Sequence, residues 1–451
     1  MLTQINPFTE TIEYTVDAHN DSQIQLFLQQ ADAGFDHWRR LSICNRQEKV
    51  QNLAKLLRQN KRQFATSIST GMGKIINESL AEIDKCILTC DYYVEHAEAF
   101  LRDEVIGFND AYVLHQPLGT ILGIMPWNFP FWQVFRFAIP TLLAGNTVLL
   151  KHASSIPQLA QIIQQIFCDA GFAKTVFRCL LIGADKIEKL ISSPVIKGVA
   201  ITASENTGRI VAALAGHNLK PVLLELGGSD PFIVLEDAPI NETVNAAVAS
   251  RFFTSGQSCI NAKRFILTPA ITEQFIQSFS QAVKKLKLGD PLDQNTQLGP
   301  MARKDLVGLI NSQVESSVAE GAKIIATHSN LPSTGFFYPP CILDNVHTGM
   351  PAHDEELFGP VATIIRAQDE THAIHIANNT RFGLGASIWS ENKQHAKALA
   401  KEIDAGMVFI NSIVRSDPRM PFGGIKHSGF GRELQRPGIR YFCNHKTLYS
   451  E

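Results

Sequence analysis

The sequence contains no Cys-x-x-Cys pair, and its eight cysteines are scattered over 451 residues. That spacing excludes a disulfide scaffold and signals neither a zinc knuckle nor a thioredoxin-type redox pair. An excess of one charge is missing too: 41 Lys and Arg face 43 Asp and Glu, a formal net charge of −2. A nucleic-acid coat or a polybasic membrane surface needs a basic excess, so neither nucleic acid nor membrane is an expected partner. Glycine (30) and proline (21) stay at ordinary usage, which excludes collagen-like and low-complexity chemistry. Basic residues are absent from the start. The first is Arg39, and Glu10, Glu13 and Asp17 precede it. A secretory leader needs a basic start and an apolar run, and a mitochondrial one needs arginine without acids, so the expected location is cytoplasmic.

Several catalytic signatures are also lacking. Gly71-Met72-Gly73 runs on to Ile76, and Gly383-Leu384-Gly385 to Ile388, so neither completes a Gly-x-Gly-x-x-Gly fingerprint. Gly73-Lys74 has Ile68 where a phosphate loop needs its leading glycine. There is no Gly-x-Ser-x-Gly elbow and no helical His pair of the metalloprotease kind, and no metal is expected. One uncharged run, Leu118 to Phe135, approaches the length of a bilayer crossing. Pro126, Pro130, Asn128 and Gln133 interrupt it and Arg136 follows, so it is expected to be a buried strand, a turn and an apolar helix.

What is present is an ordinary globular composition, 45% apolar and 19% charged, in a chain long enough for about three domains. Residues 1–100 are predicted to be mostly helical. Asp21 is a candidate cap before Ile24, Phe27, Leu28 and Ala31, and Val50, Leu53, Leu56 and Leu57 repeat at helical spacing. Leu80, Ile83, Ile87 and Leu88 form a third stripe. From Leu118 short apolar runs alternate with helical periods. Strands are predicted at Ile121–Ile124, Thr147–Leu150, Phe177–Ile182, Gly198–Ile201 and Val222–Leu226, with helices near 131–143, 157–170, 185–192 and 205–216. This alternation implies βαβ units, a parallel sheet and ligands at the strand C-ends. A second alternating region from Phe232 to about Ile410 predicts strands at Phe265–Leu267, Ala362–Ile365 and Val408–Ile410, with helices at 240–252, 272–286, 302–320 and 392–403. Residues 101–117 and the tail after Phe430 are candidates for a hairpin arm.

Three segments carry candidate chemistry. In Thr254-Ser255-Gly256-Gln257-Ser258-Cys259, a cysteine follows a predicted helix end and a small polar turn that leaves backbone N–H groups free. A lone cysteine is ordinarily a small hydrophobe. As a nucleophile it needs a positive field or a base, because a thiol is only a few per cent thiolate near neutrality. In Glu225-Leu226-Gly227-Gly228 the carboxylate ends an apolar strand. It is either a satisfied core acid or a base whose pKa burial raises. In Pro126-Trp127-Asn128-Phe129-Pro130 the Asn is either turn chemistry or a fixed amide donor for an oxyanion.

Together with Glu355-Glu356-Leu357-Phe358-Gly359-Pro360-Val361 and Pro421-Phe422-Gly423-Gly424-Ile425-Lys426-His427-Ser428-Gly429, these segments resemble the aldehyde dehydrogenase superfamily, in order and from about residue 5 to the C-terminus. The resemblance implies an α/β fold: a variant Rossmann cofactor domain (1–100 and 118–227), an α/β catalytic domain (228–430) and a small β oligomerisation arm (101–117 and 431–451). It implies an NAD(P)-dependent oxidoreductase. Cys259 then resembles the nucleophile, forming a thiohemiacetal and, after hydride transfer to the nicotinamide, an acyl-thioester. Asn128 and the Cys259 N–H resemble the oxyanion hole, and Glu225 the base that activates the hydrolytic water. Lys151 and Ser204 match positions at the adenosine ribose and pyrophosphate. Glu356 and Phe358 match the nicotinamide ribose site, and Trp127 and Leu226 line the nicotinamide.

Some residues depart from the family pattern. Ser154 stands where many NAD-selective members carry a Glu, so NADP is accommodated as well as NAD. Ala203 replaces the glycine usual before Ser204. Arg136, on the helix after Asn128, and the segment Asn411 to Arg419, with Arg415 and Ser416, resemble succinate-semialdehyde dehydrogenases. Phe253 stands where several of these place a second Arg. The expected substrate is a short ω-carboxy aldehyde, with Arg136 either gripping its carboxylate or paired internally. The alternatives are a non-specific aliphatic aldehyde dehydrogenase, a CoA-acylating member, a Cys-dependent esterase and a catalytically silent member. A homodimer or homotetramer is expected.

Overall fold

The computed structural model describes residues 1–108 and 110–451. Two sheets dominate it. The first has six strands, in the order 429–430, 222–225, 196–202, 120–125, 147–152 and 177–179. All are parallel except the short Gly429–Phe430, which runs antiparallel to the strand ending at Glu225. Successive strands run outward from Thr120–Met125 to one side and then restart on the other side with Ile196–Thr202. The chain therefore reverses its winding between these two neighbours, the place where open α/β sheets bind ligands.

Alternation along these strands fills both faces. Ile121, Val148, Leu150 and Leu223 pack on the helices Ile43–Gln59, Ile76–Leu101, Trp132–Leu143 and Pro157–Asp169. Leu122, Leu149, Val199, Ile201 and Leu224 pack with Ile24, Leu28 and Ala31 of Asp21–Trp38, and with Val211 and Ala215 of Glu205–His217. The second sheet has seven strands, in the order 323–327, 341–344, 361–366, 262–267, 230–234, 385–389 and 407–410, with only the first antiparallel. It too is covered on both faces, which suits strands that are near-continuous apolar runs.

The uncharged run resolves into a fully buried strand, Thr120–Met125, a turn, and the fully buried helix Trp132–Leu143. Among the described residues no helix is long and apolar enough to cross a membrane. Residues 104–105 and 110–117 form an antiparallel pair, and Cys443–Ser450 extends it by pairing along the whole of Asp110–Pro117.

Several expectations need correction. The first sixteen residues hold an antiparallel strand pair, Leu2–Ile5 with Ile12–Val16. Asn20, not Asp21, caps the first helix: its side chain accepts from the Gln23 N–H while Gln23 returns a bond to the Asn20 N–H. Leu88 leaves its stripe for solvent at 48% exposure, because it falls on the outer edge of the helix. The strand beginning at Phe177 ends at Cys179: Leu180 still donates to the Leu150 carbonyl (2.7 Å), but the Leu181 carbonyl turns to the His19 N–H. Strands Asp230–Val234, Lys323–Thr327, Cys341–Asp344 and Gly385–Trp389 add to the three predicted in the second region.

Candidate active site

The site lies where the C-ends of the first sheet meet the N-ends of the second. Cys259 is half-buried, three residues before the strand Ala262–Leu267. The loop leading to it turns through three consecutive left-handed residues, Thr254 (φ 53°), Ser255 (φ 53°) and Gly256 (φ 77°). A Cβ on Gly256 would lie 2.1 Å from the Gly359 carbonyl oxygen, so glycine is required there.

Such a loop needs external support, and buried cations provide it. The Arg251 guanidinium donates to the carbonyls of Gly256 (2.8 Å), Ala262 (3.0 Å) and Gly359, joining the Cys259 loop to the Glu356–Phe358 segment. Burial lowers its pKa to about 9. Lys263 Nζ donates to the carbonyls of Ser258 (3.1 Å), Cys259 (2.9 Å) and Asn261 (3.2 Å) and stands 3.7 Å from Glu356 Oε1. Thr254 N–H donates to Glu78 (2.9 Å). The Asn128 side-chain amide donates to the Gln257 carbonyl (3.0 Å), which brings Asn128 to the Cys259 loop. An amide has two N–H groups, so one stays available. Burial pushes the Cys259 thiol up to about 12; Glu356 and Glu225 push it further, and Lys263 and Arg136 oppose them.

Glu225 ends its strand at 2% exposure, and neither carboxylate oxygen has a hydrogen-bond partner among the described residues. Burial raises its pKa well above the usual carboxylate range, Glu433 adds to the rise, and Arg136 and Arg432 oppose it. The structure places Arg136 between two roles. It lines the cavity beside Cys259, but its guanidinium also forms a buried ion pair with Glu433, sits 4.5 Å over the Phe422 ring and donates to Thr202 Oγ1 (3.3 Å). Of the two expected roles, gripping a carboxylate or pairing internally, the internal pair is the one formed here. Replacing Arg136 by Met strands the Glu433 carboxylate beside Glu225. The expected result is a loss of ~3–5 kcal/mol, read as a lower thermal midpoint that Arg136→Lys largely restores.

The cavity measures about 280 Å³ and is lined by Cys259, Arg136, Arg415 and Ser416 among others. Phe253 also lines it and packs on Phe129, with ring centroids 5.7 Å apart. The remaining candidates group into three places. Glu356 accepts from the Gly228 N–H (3.0 Å), and Trp127 meets Phe358 edge to face at 5.9 Å. Leu226 packs on Gly208 of the helix Glu205–His217, whose N-terminus Ser204 caps through the Thr207 N–H (3.5 Å). Lys151, its pKa lowered by burial, donates to Ser154 Oγ (3.5 Å).

Four residues escaped the sequence analysis: Lys85, Arg251, Lys263 and Glu433. For Lys263 and Arg251 the signal was a charge inside an apolar strand or at an apolar helix end. For Glu433 and Lys85 only tertiary contact reveals the site.

The family model described as "Aldehyde dehydrogenase family" matches residues 1–448. An Escherichia coli protein named succinate semialdehyde dehydrogenase [NAD(P)+] is 43% identical over 449 residues, covering 99% of this chain and 97% of the relative. A Mycobacterium tuberculosis protein named succinate-semialdehyde dehydrogenase [NADP(+)] 1 is 41% identical over 450 residues, covering 99% and 98%. The crystal structure of the succinic semialdehyde dehydrogenase of Streptococcus pyogenes in complex with NADP+ superposes with a TM-score of 0.98 at 35% identity, covering 100% of both chains. With its motifs, sheet order and near-complete length all in agreement, the chain belongs to the aldehyde dehydrogenase family.

Proposed function

We propose that the protein oxidises a short aldehyde carrying a carboxylate at its far end, with succinate semialdehyde as the best fit, to the corresponding diacid. The oxidant is NADP or NAD. The observation that carries this reading is a single cavity lined by both the Cys259 thiol and the cations Arg136 and Arg415. The relatives named for succinate semialdehyde support it.

The residues suit a dinucleotide. The floor beside Glu356 is glycine, and a Cβ on Gly227 would stand 2.4 Å from Glu356 Oε2. Ser204 sits at a helix N-terminus, where anions are favoured. In this reading Lys151, Ser154 and Ser204 hold the adenosine and phosphate end, and Trp127, Asn128, Leu226, Glu356 and Phe358 hold the nicotinamide end. When bound, the dinucleotide supplies the hydride acceptor.

Cys259 Sγ attacks the aldehyde carbon as the thiol proton passes to solvent, the C–S bond forms and the carbonyl π electrons move onto the oxygen, giving a thiohemiacetal oxyanion. The free N–H of Asn128 and the Cys259 backbone N–H hold the developing oxyanion. Loss of hydride leaves an acyl-thioester on Cys259. Glu225 then takes a proton from water, the oxygen attacks the thioester carbon, and the C–S bond breaks to give the acid. A carboxyl whose pKa burial has raised suits this base role, because its conjugate acid forms readily. That hydrolytic base favours water over CoA as acyl acceptor.

A panel of succinate semialdehyde and hexanal, each with NAD and with NADP, tests the reading. A higher kcat/KM for succinate semialdehyde is expected, and a higher value for hexanal would overturn it. Ser154 leaves the Lys151 ammonium available to a 2′-phosphate. Ser154→Glu places a carboxylate there and should cut the NADP-to-NAD ratio of kcat/KM at least ~10-fold by like-charge repulsion. An unchanged ratio would remove Ser154 from cofactor selection.

The arm, with its strands 104–105, 110–117 and 443–450 and the adjoining residues 106–108, exposes Val105, Ile106 and Phe108, which supports a homodimer or homotetramer assembled through this arm. Light scattering decides between the two. All eight cysteines are free, which suits a reducing, cytoplasmic setting.

A further inference from the structure

Lys85 is a cavity-lining cation with no part in the chemistry described above. It lies on the helix Ile76–Leu101 and shares the cavity wall with Arg136, Ser416 and Cys259. Its Nζ donates to Ser416 Oγ at 2.5 Å and stands 4.3 Å above the Trp132 ring. The carboxylates around it are already committed. Glu82 is bound by Lys74 and by the N–H groups of Phe131 (2.9 Å) and Trp132 (3.0 Å). Asp417 is held by Arg419 and Glu433 by Arg136. Much of the remaining wall is apolar, including Phe129, Ile413 and Val414. An ammonium in such a wall without a counter-ion is costly unless a ligand brings one.

We propose that Lys85 is a second cationic anchor for the carboxylate of the aldehyde substrate, acting with Arg136 and Ser416, and that it takes up a proton when that substrate binds. This rests on the acid-bearing aldehyde reading above and assigns its specificity to a residue outside the motifs. The charged and titratable groups facing Lys85 are Glu82 and Cys86 from its own helix, Arg136 from Trp132–Leu143 and Asp417 from the loop over the cavity. Burial lowers the Lys85 pKa to about 7, Arg136 lowers it further, and the other three oppose the shift. Below that pH the ammonium is already formed and binds an anion directly. Above it each binding event draws a proton from solvent, so KM for the acid-bearing aldehyde rises with pH, by at most ~10-fold per unit. An uncharged aldehyde draws no such proton.

The test is steady-state kinetics on succinate semialdehyde and butanal between about pH 6 and about pH 9, a window spanning the shifted lysine, with wild type, Lys85→Met and Lys85→Arg. Lys85→Met is expected to raise KM for succinate semialdehyde ~10-fold with kcat little changed, and to leave butanal within ~2-fold. Lys85→Arg keeps the low KM and flattens its rise with pH, because a guanidinium stays charged throughout. If Lys85→Met affects both aldehydes equally, or neither, the proposal is overturned while the substrate reading stands. If wild type itself shows no preference for succinate semialdehyde over butanal, the substrate reading fails and the anchor fails with it.

Discussion

Cys259→Ala is expected to lower aldehyde oxidation by at least ~10³-fold, the scale seen when a covalent nucleophile is deleted. Binding of the dinucleotide should survive. The change removes one sulfur from a loop whose shape is held elsewhere, by Arg251, Lys263 and the bond from Asn128 to the Gln257 carbonyl. The thermal midpoint should therefore move little, which separates loss of chemistry from loss of fold. Fluorescence titration with NADPH on the same preparation checks the binding site. An Ala variant that still turns over would mean that the aldehyde is oxidised without a covalent intermediate. Because burial pushes the thiol up to about 12, alkylation of Cys259 should accelerate as pH rises from neutrality, since only the thiolate reacts.

Glu225→Gln is the second large effect. The substitution keeps the shape and removes the base, so hydrolysis of the thioester should slow by ~10²–10⁴-fold. Formation of the thioester needs no water, so each active site should release one reduced cofactor rapidly and then stall. The fold should tolerate the change: Glu225 makes no side-chain hydrogen bond among the described residues, and Glu433 already disfavours its charge. The pH dependence carries its own signature. A raised carboxyl pKa means the base form appears only as pH climbs through that shifted value, so hydrolysis in the wild type rises with pH. In Glu225→Gln this rising limb disappears. A stalled burst without loss of the limb would assign the base to another residue.

The sequence made the reacting groups legible because each sits in a local signal that chain order preserves. Asn128 lies in a proline-bracketed turn, Glu225 at the end of an apolar run, and Cys259 after a small polar turn. The central strands of the first sheet, and Ala262–Leu267 and Val361–Arg366 of the second, were legible for the same reason, as continuous apolar runs, whereas the equally buried Asp230–Val234 and Gly385–Trp389 were not. What stayed hidden depends on distant residues meeting. Arg136 finds Glu433, and Lys85 finds Ser416, across long stretches of chain, and nothing near either residue announces the partner. The opening strand pair Leu2–Ile5 and Ile12–Val16 was missed because most of its residues stay outside the core, leaving little apolar alternation to detect. Lys323–Thr327 is likewise largely exposed at a sheet edge.

The most direct test of covalent catalysis at Cys259 is the intact mass of Glu225→Gln after mixing with NADP and succinate semialdehyde, followed by peptide mapping. The account predicts a stoichiometric gain of one succinyl group, located on the peptide containing Cys259 and released by hydroxylamine. Reduced cofactor formed in full burst with no acyl mass on the protein, or with the mass on another cysteine, would contradict it.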